Sequence, residues 1–540
     1  MSGGQIKVNT AVIMACGTGT RMSPLTFDTP KSFLKARGEV LIERQIRQLK
    51  EAGVEEIIVV VGYLKEKFEY LKQKYNVKLV FNDEYKNTNT LTTLYKVSPY
   101  INGKSFYICV ADIYLTENIF REYEEYSHFK CIYIDHENDD WECVTNEESE
   151  IIKINRHGNP GYCMIGIGFF DAEKGKILLK RCEELYKRAG TEKFYWEETI
   201  YEHFDELKKF YLEKIPNGVF NEFDTFEELK AFSKEEDYGS KCLSIVAKAM
   251  GVKESDIENI VVDNNSLTNN TFIFNVKTDS KKYIARVPGI GTDEYINRAD
   301  EKKILEELQK YDVTEKVVYC DENGYKISEY YEDIRKMDIN SEEDLKAAIS
   351  CLKKIHSLDI KISNKSSLEE KIKVYLDLIE KNKIEIPDEI IRKQKEVFEK
   401  IEYKNSLNRP VRLCHGDFNP TNVLFTKEGV KIIDFEYAIM SDPLIDIALF
   451  GCYTGLDKEK IMRMYDIYEN CTIEASVNEN EIINKKIYEG LDVENKNKLY
   501  EAYIEICAFY GYVWGVVNEK LASADVAKYL TNQRKLLGLV

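Results

Sequence analysis

The sequence has no run of about 18 uncharged apolar residues, which disfavours a membrane-spanning helix. It opens with MSGGQIKVNT, which lacks the apolar segment of a secretory signal peptide. The thirteen cysteines are odd in number and include no Cys-x-x-Cys pair, so we expect reduced thiols rather than disulfides or a zinc site. These absences predict a cytoplasmic protein without an integral membrane segment.

Positive charge is also scarce. Lysine and arginine number 76 against 94 aspartate and glutamate residues, which gives a formal net charge of -18. A nucleic acid or an anionic membrane surface needs clustered positive charge, so neither is expected as a partner. A small cationic substrate suits this balance better, although an acidic surface also serves solubility. The oligomeric state stays open.

Length and hydrophobic pattern predict two domains. The chain has 540 residues, whereas a single hydrophobic core stops growing at about 250 to 300 residues. From residue 10, short apolar runs alternate with helical patterns, as is typical of βαβ units around a parallel sheet. A strand-rich segment and then helical segments follow in the second half. No linker marks the junction, and we place it so that the domains span residues 1-238 and 239-540.

A glycine-rich loop follows the first apolar strand, AVIMA, at the carboxyl edge of the predicted sheet, where open α/β folds bind ligands. Glycines let backbone N-H groups approach phosphate oxygens, and nearby cations neutralise phosphate charge. The loop lacks the Gly-Lys-Ser/Thr ending of a P-loop. The predicted nucleotide-binding residues are Gly17, Thr18, Gly19 and Thr20, and Arg21 and Lys31 are the cations expected to neutralise a triphosphate.

The pattern Gly-x-Gly-Thr-Arg-x-x-Pro-Leu-Thr with a following Thr-Pro-Lys resembles the sugar-phosphate and phosphocholine nucleotidyltransferases, over about residues 8 to 235. The resemblance implies a Rossmann-like α/β fold and attack by a substrate phosphate on the α-phosphorus of a nucleoside triphosphate, with loop cations stabilising the charge. It also implies Mg²⁺ ligands at Asp112, Glu222 and Asp224. Many members of the family have another acid at the position of Val110. Asp112 would therefore be the only metal ligand on its side of the ion.

Residues 41 to 85 resemble the phosphocholine cytidylyltransferase branch over a continuous stretch, which implies CTP and phosphocholine as substrates. A trimethylammonium group cannot donate hydrogen bonds, and aromatic faces hold it instead, at about 0.5 to 2 kcal/mol per ring. Trp141, Tyr195 and Trp196 supply such faces. Glu197 and Glu198 supply counter-charge. Each ring has the alternative role of core or rim packing.

A second candidate site lies in VRLCHGDFNPTNVLFTKEGVKIIDFEYA, which sets three polar side chains on loops between short apolar strands. Phosphoryl transfer from ATP needs a carboxylate that orients the attacking hydroxyl and oxygen ligands that hold Mg²⁺. Asp417 fits the first role. Asn422 and Asp434 fit the second, in the chain order of the corresponding protein kinase residues.

Residues 240 to 540 resemble the choline/ethanolamine kinases and, more distantly, the aminoglycoside phosphotransferases. The resemblance implies a protein kinase-like α+β domain in which Arg286 replaces the third-strand lysine of protein kinases. We expect Arg286 to pair with Glu301 and to contact the ATP phosphates, whereas a mere surface pair would contribute little. The segment KISEYYED, with Glu329, is expected to form the hinge that meets adenine.

Aromatic and acidic residues indicate the acceptor of the second site. Glu436 and Tyr437 follow the predicted metal-binding strand. Tyr510 and Trp514 lie in a segment that resembles the C-terminal helix on which choline kinases place cation-holding rings. All three tryptophans of the chain fall in segments expected to line choline or phosphocholine sites, which favours a quaternary amine. Glu436 has the alternative role of ordering its own loop.

The two halves together predict consecutive reactions in one bifunctional enzyme. The second half would make phosphocholine from choline and ATP, and the first half would convert phosphocholine and CTP to CDP-choline and pyrophosphate. Alternatives are the same pair of reactions on ethanolamine or another amino-alcohol, an aminoglycoside phosphotransferase in the second half, and a non-catalytic nucleotide-binding scaffold. Aromatic content favours choline, and the intact set of catalytic residues favours an enzyme.

Overall fold

The computed structural model describes residues 5–156, 160–201, 204–234, 236–263, 269–289, 296–363, 367–473, 491–521 and 526–539. These residues form two compact units. One consists of Met1–Val262 with Val276–Thr278, and the other of Asp263–Asn275 with Asp279–Val540. All thirteen cysteines are free. No helix in the described ranges is long and apolar enough to cross a membrane.

The N-terminal unit contains fifteen strands before its last helices. In chain order they are β1 (Ile6–Lys7), β2 (Thr10–Ala15), β3 (Lys35–Ala36), β4 (Glu39–Val40), β5 (Glu56–Val61), β6 (Lys78–Phe81), β7 (Phe106–Val110), β8 (Ile113–Leu115), β9 (Tyr123–Glu124), β10 (His128–Ile134), β11 (Glu142–Thr145), β12 (Ile151–Asn155), β13 (Gly161–Phe170), β14 (Tyr211–Lys214) and β15 (Phe220–Glu222).

Nine of these strands form one sheet around β2. Strands β6, β5, β2 and β7 lie side by side and run parallel, and β13 joins β7 in the antiparallel direction. All residues of β2 are buried, because helices cover both faces of a parallel sheet. The α/β prediction for this half is therefore confirmed, and the loops after β2 and β7 leave the same edge of the sheet.

The helices of this unit follow the strands as the hydrophobic periodicity predicted. They are α1 (Leu41–Glu51), α2 (Glu69–Tyr75), α3 (Thr90–Ile101), α4 (Ala172–Tyr186), α5 (Glu198–Tyr201), α6 (Phe226–Ser233) and α7 (Lys241–Met250). In α1, for example, Ile42, Ile46 and Leu49 are fully buried, as the i, i+4, i+7 spacing requires.

Helix α7 begins after the predicted junction near residue 238, yet it belongs to the N-terminal unit. The Ser240 hydroxyl donates to the Leu25 carbonyl at 3.0 Å, and the Cys242 N-H donates to Asp28 Oδ1 at 3.2 Å. These bonds attach the first turn of α7 to the segment that follows the glycine-rich loop. The compact units consequently divide near residue 262, later in the chain than the pattern predicted.

The C-terminal unit begins with strands and continues with helices. Strand β16 (Ile257–Asp263) precedes them and belongs to the N-terminal unit except for its last residue. The strands that follow are β17 (Asn269–Val276), β18 (Asp279–Pro288), β19 (Val317–Cys320), β20 (Lys326–Glu329), β21 (Arg412–Cys414), β22 (Val423–Thr426), β23 (Gly429–Ile432) and β24 (Ile439–Ser441). Strands β17, β18, β20 and β19 lie side by side in one sheet, in that order.

The helices of this unit form its larger, apolar part. They are α8 (Arg298–Leu308), α9 (Glu342–Ser357), α10 (Leu368–Lys381), α11 (Asp388–Ser406), α12 (Leu444–Thr454), α13 (Lys458–Asn470), α14 (Val493–Leu521) and α15 (Ala527–Leu536). Helix α14 packs against α10, α11, α12 and α15. The second candidate site lies on two short antiparallel pairs, the hairpin of β22 with β23 and the pair of β21 with β24. This arrangement confirms the protein kinase-like α+β prediction.

Candidate active sites

The glycine-rich loop follows β2 and turns back tightly on the segment behind it. Gly19 has φ of +65°, and a Cβ there would lie 3.0 Å from side-chain atoms of both Lys31 and Thr26. The Thr26 hydroxyl donates to the Gly19 carbonyl at 2.9 Å, which fixes the turn. A glycine is therefore required here on two grounds, the left-handed backbone and the close approach of Lys31.

Two predicted cations and two predicted metal ligands converge beside this loop. Lys31 Nζ lies 2.6 Å from Asp112 Oδ2 and 3.5 Å from Asp224 Oδ1. Arg21 Nη1 lies 2.6 Å from Asp224 Oδ2. Asp112 follows β7, which neighbours β2, and Asp224 follows β15. Residues separated by up to 203 positions in the chain thus form one charge cluster at the sheet edge.

Strand pairing brings Glu222 into the same cluster. Strand β15 pairs with β8 so that Glu222 stands opposite Ile113, the neighbour of Asp112. Surrounding protein atoms and the Asp112 carboxylate raise the pKa of Glu222 to about 7, although the side chain remains open to solvent. Three carboxylates that crowd one another, with hard oxygen donors, form a set of groups that fits Mg²⁺.

The remaining loop residues line the rim of this cluster. Gly17 and Thr20 are exposed, and Thr18 is half-buried. A Cβ at Gly17 would meet nothing within 4 Å, so space is open at this turn. Met22 and Ser23 donate their N-H groups to the carbonyls of Gly19 and Thr20, at 2.9 and 3.1 Å.

The three rings predicted for the phosphocholine head group occupy different environments. Trp196 is 1% exposed and packs in the core, with its ring centroid 5.9 Å from that of Phe129 and 6.1 Å from that of Phe170. Its ring faces are covered by protein, so the structure places it in the core rather than in a ligand site. Tyr195 is 52% exposed. Only Trp141 is half-buried at the edge of the acid cluster.

Trp141 is tied to the acid cluster through the residue before it. Burial and the Asp224 carboxylate raise the pKa of Asp140, which places Asp140 near the cluster. The Trp141 ring meets the ring of Tyr201 edge-on, with centroids 5.5 Å apart. Trp141 and Tyr201 together form a small aromatic wall. Tyr201 was not predicted, because nothing in its local sequence separates it from the other 35 tyrosines.

Glu197, the neighbour of Trp196, lies near enough to the acid cluster for the Glu222 charge to act on it. Its Oε2 is buried without a hydrogen-bond partner among the described residues. Burial, with added repulsion from Glu198 and Glu222, raises the pKa of Glu197 to about 8 from an ordinary 4.5. A buried carboxylate without a cation is costly, which is why this group holds its proton to a higher pH.

We expect Glu197→Gln to stabilise the protein at high pH. The folded-state pKa of this carboxyl is raised, so ionisation opposes folding as the pH rises from about 4.5 to about 8. The neutral variant avoids this loss, and its free energy of unfolding should exceed that of the wild type by about 1 to 3 kcal/mol at pH 8.5 but not at pH 5. Melting curves of both proteins at the two pH values measure the difference.

Glu192→Gln is the matched control, because Glu192 lies five residues earlier in the same segment and is exposed. Its melting temperature should follow that of the wild type at both pH values. An equal stabilisation of Glu197→Gln at pH 5 and pH 8.5 would contradict the assignment of a raised pKa.

The second candidate site is built on the loop after β21. Asp417 Oδ2 accepts hydrogen bonds from Asn422 Nδ2 at 3.1 Å and from Asn419 Nδ2 at 3.3 Å. Burial raises the pKa of Asp417, while His415 and the two amides oppose the shift. A carboxylate with an elevated pKa and two fixed amide donors is well suited to accept a proton from a hydroxyl.

A buried aspartate that sequence reasoning missed holds this loop in place. Asp446, on α12, is fully buried and accepts the N-H groups of His415 at 2.7 Å and Gly416 at 2.9 Å. His356 Nε2 lies 3.0 Å from the same carboxylate, and its Nδ1 lies 2.8 Å from the Tyr468 hydroxyl. Asp446 is therefore a positioning residue for the loop that carries Asp417.

Gly416 makes the loop possible at its tightest point. Its φ is +75°, and a Cβ there would lie 2.2 Å from the carbonyl oxygen of Tyr437. The backbone of the loop and that of the segment after β23 thus touch directly. Only glycine fits at this crossing.

Asp434 follows β23 and lies beside the predicted ATP-contacting arginine. Arg286 forms two bonds of 2.6 Å with Glu301, the bidentate pair expected from the sequence, and is 3.2 Å from Asp434 Oδ1. Burial and the nearby Glu436 carboxylate raise the pKa of Asp434 to about 6. Asn422 and Asp434 offer oxygen donors, and the excess of negative charge at Asp434 fits a site completed by Mg²⁺.

Glu436 lies elsewhere than predicted. It is buried and accepts hydrogen bonds from Arg298 Nη1 at 2.8 Å and from Asn269 Nδ2 at 2.9 Å. The structure therefore places its side chain in the arginine network with Arg286, 3.7 Å away, rather than among the rings expected to hold choline. Its alternative role, ordering the site, agrees with this placement.

Rings gather around Asp417 from several helices. Tyr510 lies 5.9 Å from Tyr375 between ring centroids, and burial raises its pKa, with contributions from Tyr437 and Asp417. The pKa values of Tyr453 and Tyr529 are also raised, chiefly by burial and partly by the Asp417 charge. We name this group the tyrosine cluster, which consists of Tyr375, Tyr437, Tyr453, Tyr510 and Tyr529.

Trp514 extends the tyrosine cluster along α14. Its ring meets that of Tyr529 edge-on, at 5.7 Å between centroids. Lys371 Nζ lies 5.9 Å from the Tyr437 ring centroid, and burial lowers the pKa of this lysine although Asp417 opposes the shift. A buried lysine amine thus lies against the Tyr437 ring and within reach of the Asp417 charge.

Glu329 ends β20 in the expected hinge. Its N-H donates to the Lys316 carbonyl at 2.9 Å, and its carboxylate pairs with Lys281 at 2.6 Å. Its side chain thus serves an ion pair, and the role of KISEYYED as a hinge stays a prediction. An adenine contact at Glu329 stays a prediction.

Comparison with known proteins adds two family matches. A model of the choline/ethanolamine kinase family matches residues 260–526, and a model of the MobA-like NTP transferase domain matches residues 11–152. The choline-phosphate cytidylyltransferase of Streptococcus pneumoniae is 33% identical over 220 residues, which cover 41% of this chain and 95% of that protein.

Two further proteins illustrate the range of similarity. The 2-aminoethylphosphonate cytidylyltransferase of Lancefieldella rimae is 34% identical over 234 residues, covering 43% of this chain and 95% of that protein. The crystal structure of choline kinase LicA from Streptococcus pneumoniae matches with 23% identity and a TM-score of 0.42, covering 55% of this chain and 99% of that chain.

Proposed function

We propose a two-step reaction from this premise: the chain belongs to the cytidylyltransferase family through its N-terminal half and carries a choline/ethanolamine kinase domain in its C-terminal half. The protein is thus a nucleotidyltransferase and a phosphotransferase. In the proposed sequence, choline is phosphorylated by ATP, and the resulting phosphocholine reacts with CTP to give CDP-choline and pyrophosphate. The reactions take place in the cytoplasm, where both nucleotides are supplied.

The tyrosine cluster is the observation that carries the choline assignment. A quaternary ammonium has no N-H to donate, so it is held by ring faces and long-range charge. Tyr510 lies close enough to Asp417 for the Asp417 charge to raise its pKa, and Tyr437 acts on Tyr510 as well. This arrangement supports an acceptor whose cation rests on rings while its hydroxyl meets the carboxylate.

In the phosphotransferase step, the chain's own residues orient the acceptor and move its proton. Asp417 accepts the hydroxyl proton as the oxygen attacks the γ-phosphorus and the bond to the β-phosphate oxygen breaks, releasing ADP. Asn422 and Asn419 hold the carboxylate in position. Arg286, fixed by Glu301, places positive charge at the phosphates.

In the nucleotidyltransferase step, a phosphate oxygen of phosphocholine attacks the α-phosphorus of CTP, and pyrophosphate leaves. Lys31 and Arg21 stabilise the negative charge that develops on the transferring group. Mg²⁺, when bound, would neutralise phosphate charge in both units. Asp112, Glu222 and Asp224 would hold it in the first, and Asn422 and Asp434 in the second.

Product identification tests the proposed sequence. We expect the protein with choline, ATP, CTP and Mg²⁺ to form CDP-choline, ADP and pyrophosphate. Without CTP the reaction should stop at phosphocholine, and with phosphocholine and CTP it should need no ATP. The absence of CDP-choline from both CTP-containing mixtures would refute the cytidylyltransferase activity. The absence of phosphocholine from the mixture without CTP would refute the kinase activity.

Ethanolamine, or another primary amino-alcohol, is the second candidate substrate. The observation that favours it is Glu197, because a primary ammonium seeks carboxylate acceptors and this carboxyl group has a buried oxygen that accepts no hydrogen bond from the part of the chain that the structure describes. Competition between choline and ethanolamine at equal concentrations distinguishes the candidates. Preferential formation of CDP-ethanolamine would replace choline in the proposal and leave both reaction types in place.

A further inference from the structure

Arg156 stands opposite Trp141 across a β-hairpin. Strands β11 and β12 are antiparallel with Glu142 opposite Asn155, and Trp141 and Arg156 are the residues directly beyond this last pair. The guanidinium carbon of Arg156 lies 5.1 Å from the Trp141 ring centroid and 4.9 Å from the Tyr201 ring centroid. Both distances are within the range of cation-π attraction.

The same guanidinium has a carboxylate partner. Arg156 Nη2 lies 2.6 Å from Glu198 Oε1, and the Glu198 side chain is only 7% exposed. Two ring faces and one buried carboxylate are the groups that a quaternary ammonium requires. In this structure a side chain of the protein itself supplies the cation.

The cage formed by Trp141, Tyr201 and Glu198 adjoins the candidate active site. Glu198 follows Glu197, whose pKa is raised in part by Glu222. Asp140, directly before Trp141, is influenced by Asp224. The cage is thus next to the carboxylates assigned to the nucleotidyltransferase step.

Resting on the proposed function, we propose that Arg156 is a built-in competitor that occupies the head-group site of the cytidylyltransferase unit and is displaced by the cation of phosphocholine. Without a substrate, Arg156 pairs with the buried Glu198 carboxylate. A ligand that displaces it must bring a positive charge of its own. Arg156 therefore favours cationic phosphates over neutral ones at the expense of affinity.

The test compares Arg156→Gln with the wild type in the full chain, with phosphocholine and CTP as substrates. Removal of the competitor should lower KM for phosphocholine about fivefold, which corresponds to about 1 kcal/mol, the scale of one cation-π contact. The values of kcat and of KM for CTP should stay unchanged, because the substitution leaves Lys31 and the acid cluster intact. Unchanged KM for CTP also shows that the unit is folded.

Arg188→Gln is the matched control, because its guanidinium also lies over a ring, 5.6 Å from the Phe194 centroid, but outside the cage. It should leave KM for phosphocholine unchanged. Arg156→Lys keeps a cation near Glu198 and loses the planar contact with the rings, so its KM should fall less. This variant also provides the test if Arg156→Gln does not fold.

The outcomes separate this inference from the proposed function. If the wild type makes CDP-choline and Arg156→Gln has the same KM, Arg156 is a bystander and the inference is wrong. A higher KM would show that Arg156 binds the substrate, which also overturns the competitor role. If the wild type makes no CDP-choline from phosphocholine, the proposed function itself fails, and the competitor role fails with it.

Discussion

Asp417→Asn should reduce choline phosphorylation by about three orders of magnitude and leave the formation of CDP-choline from added phosphocholine unchanged. The amide keeps an oxygen that can accept from Asn422 and Asn419, so the loop should retain its position. It cannot accept the proton of the attacking hydroxyl, and loss of a positioned base costs about 10² to 10⁴ in rate. Coupled detection of ADP measures the first reaction, and pyrophosphate release measures the second.

A matched control and a pH profile sharpen this prediction. Asp466→Asn changes an exposed aspartate of α13 in the same unit and should leave both rates unchanged. Burial raises the pKa of Asp417, so the wild-type phosphorylation rate should decline on the acid side at a higher pH than an ordinary aspartate would give. Phosphorylation by Asp417→Asn within tenfold of the wild-type rate would show that Asp417 is not the base.

Asp112→Asn should have the opposite pattern, with pyrophosphate release reduced by about three orders of magnitude and choline phosphorylation intact. The substitution removes the charge that meets Lys31 at 2.6 Å and one of the three proposed Mg²⁺ ligands. We expect the loss chiefly in kcat, because the Mg²⁺ that Asp112 would hold acts on the phosphate group that is transferred. Steady-state rates with phosphocholine and CTP at several Mg²⁺ concentrations provide the measurement.

Asp135→Asn is the control for this substitution, since the Asp135 side chain is 86% exposed in the same unit. It should behave as the wild type in both assays. Retention of nucleotidyltransfer in Asp112→Asn would assign the metal to Glu222 and Asp224 alone. A parallel loss of both reactions would instead indicate misfolding, which melting curves identify.

The parallel sheet and the glycine-rich loop were predictable because their causes are local. Apolar runs such as that of β2 and the glycines after it have a direct signature in the sequence, and the structure agrees with it. The convergence of Asp112, Glu222 and Asp224 was expected only from family resemblance. The structure gives the physical reason, which is the pairing of β15 with β8.

Side-chain direction was the part that the sequence could not supply. Trp196 and Glu197 are neighbours, yet the ring enters the core and the carboxylate meets the acid cluster. Their segment is irregular before α5, so no periodicity indicated which residue would face inward. Glu436 was assigned to choline for its charge, whereas Arg298, 138 positions earlier, holds it.

Residues that act through a distant partner were missed for a related reason. Asp446 lies in an apolar helix and resembles an isolated core acid in the sequence, and only the fold brings the N-H groups of His415 and Gly416 to it. His356 is buried and bonds to the same carboxylate, from 90 positions earlier in the chain. Tyrosines 375, 453 and 529 had no motif around them.

The contact between Gly416 and the Tyr437 carbonyl couples the proposed proton transfer at Asp417 to the proposed recognition of the amine. Enzymes often alter catalytic rate and substrate preference separately. The backbone of the loop that carries Asp417 lies directly against the backbone of Tyr437, a ring proposed to hold the acceptor, with no side chain between them. A shift of either segment would move both. New amine preferences in descendants of this chain should therefore arise by replacing rings on α10, α14 and α15, where the scaffold can tolerate change without disturbing proton transfer.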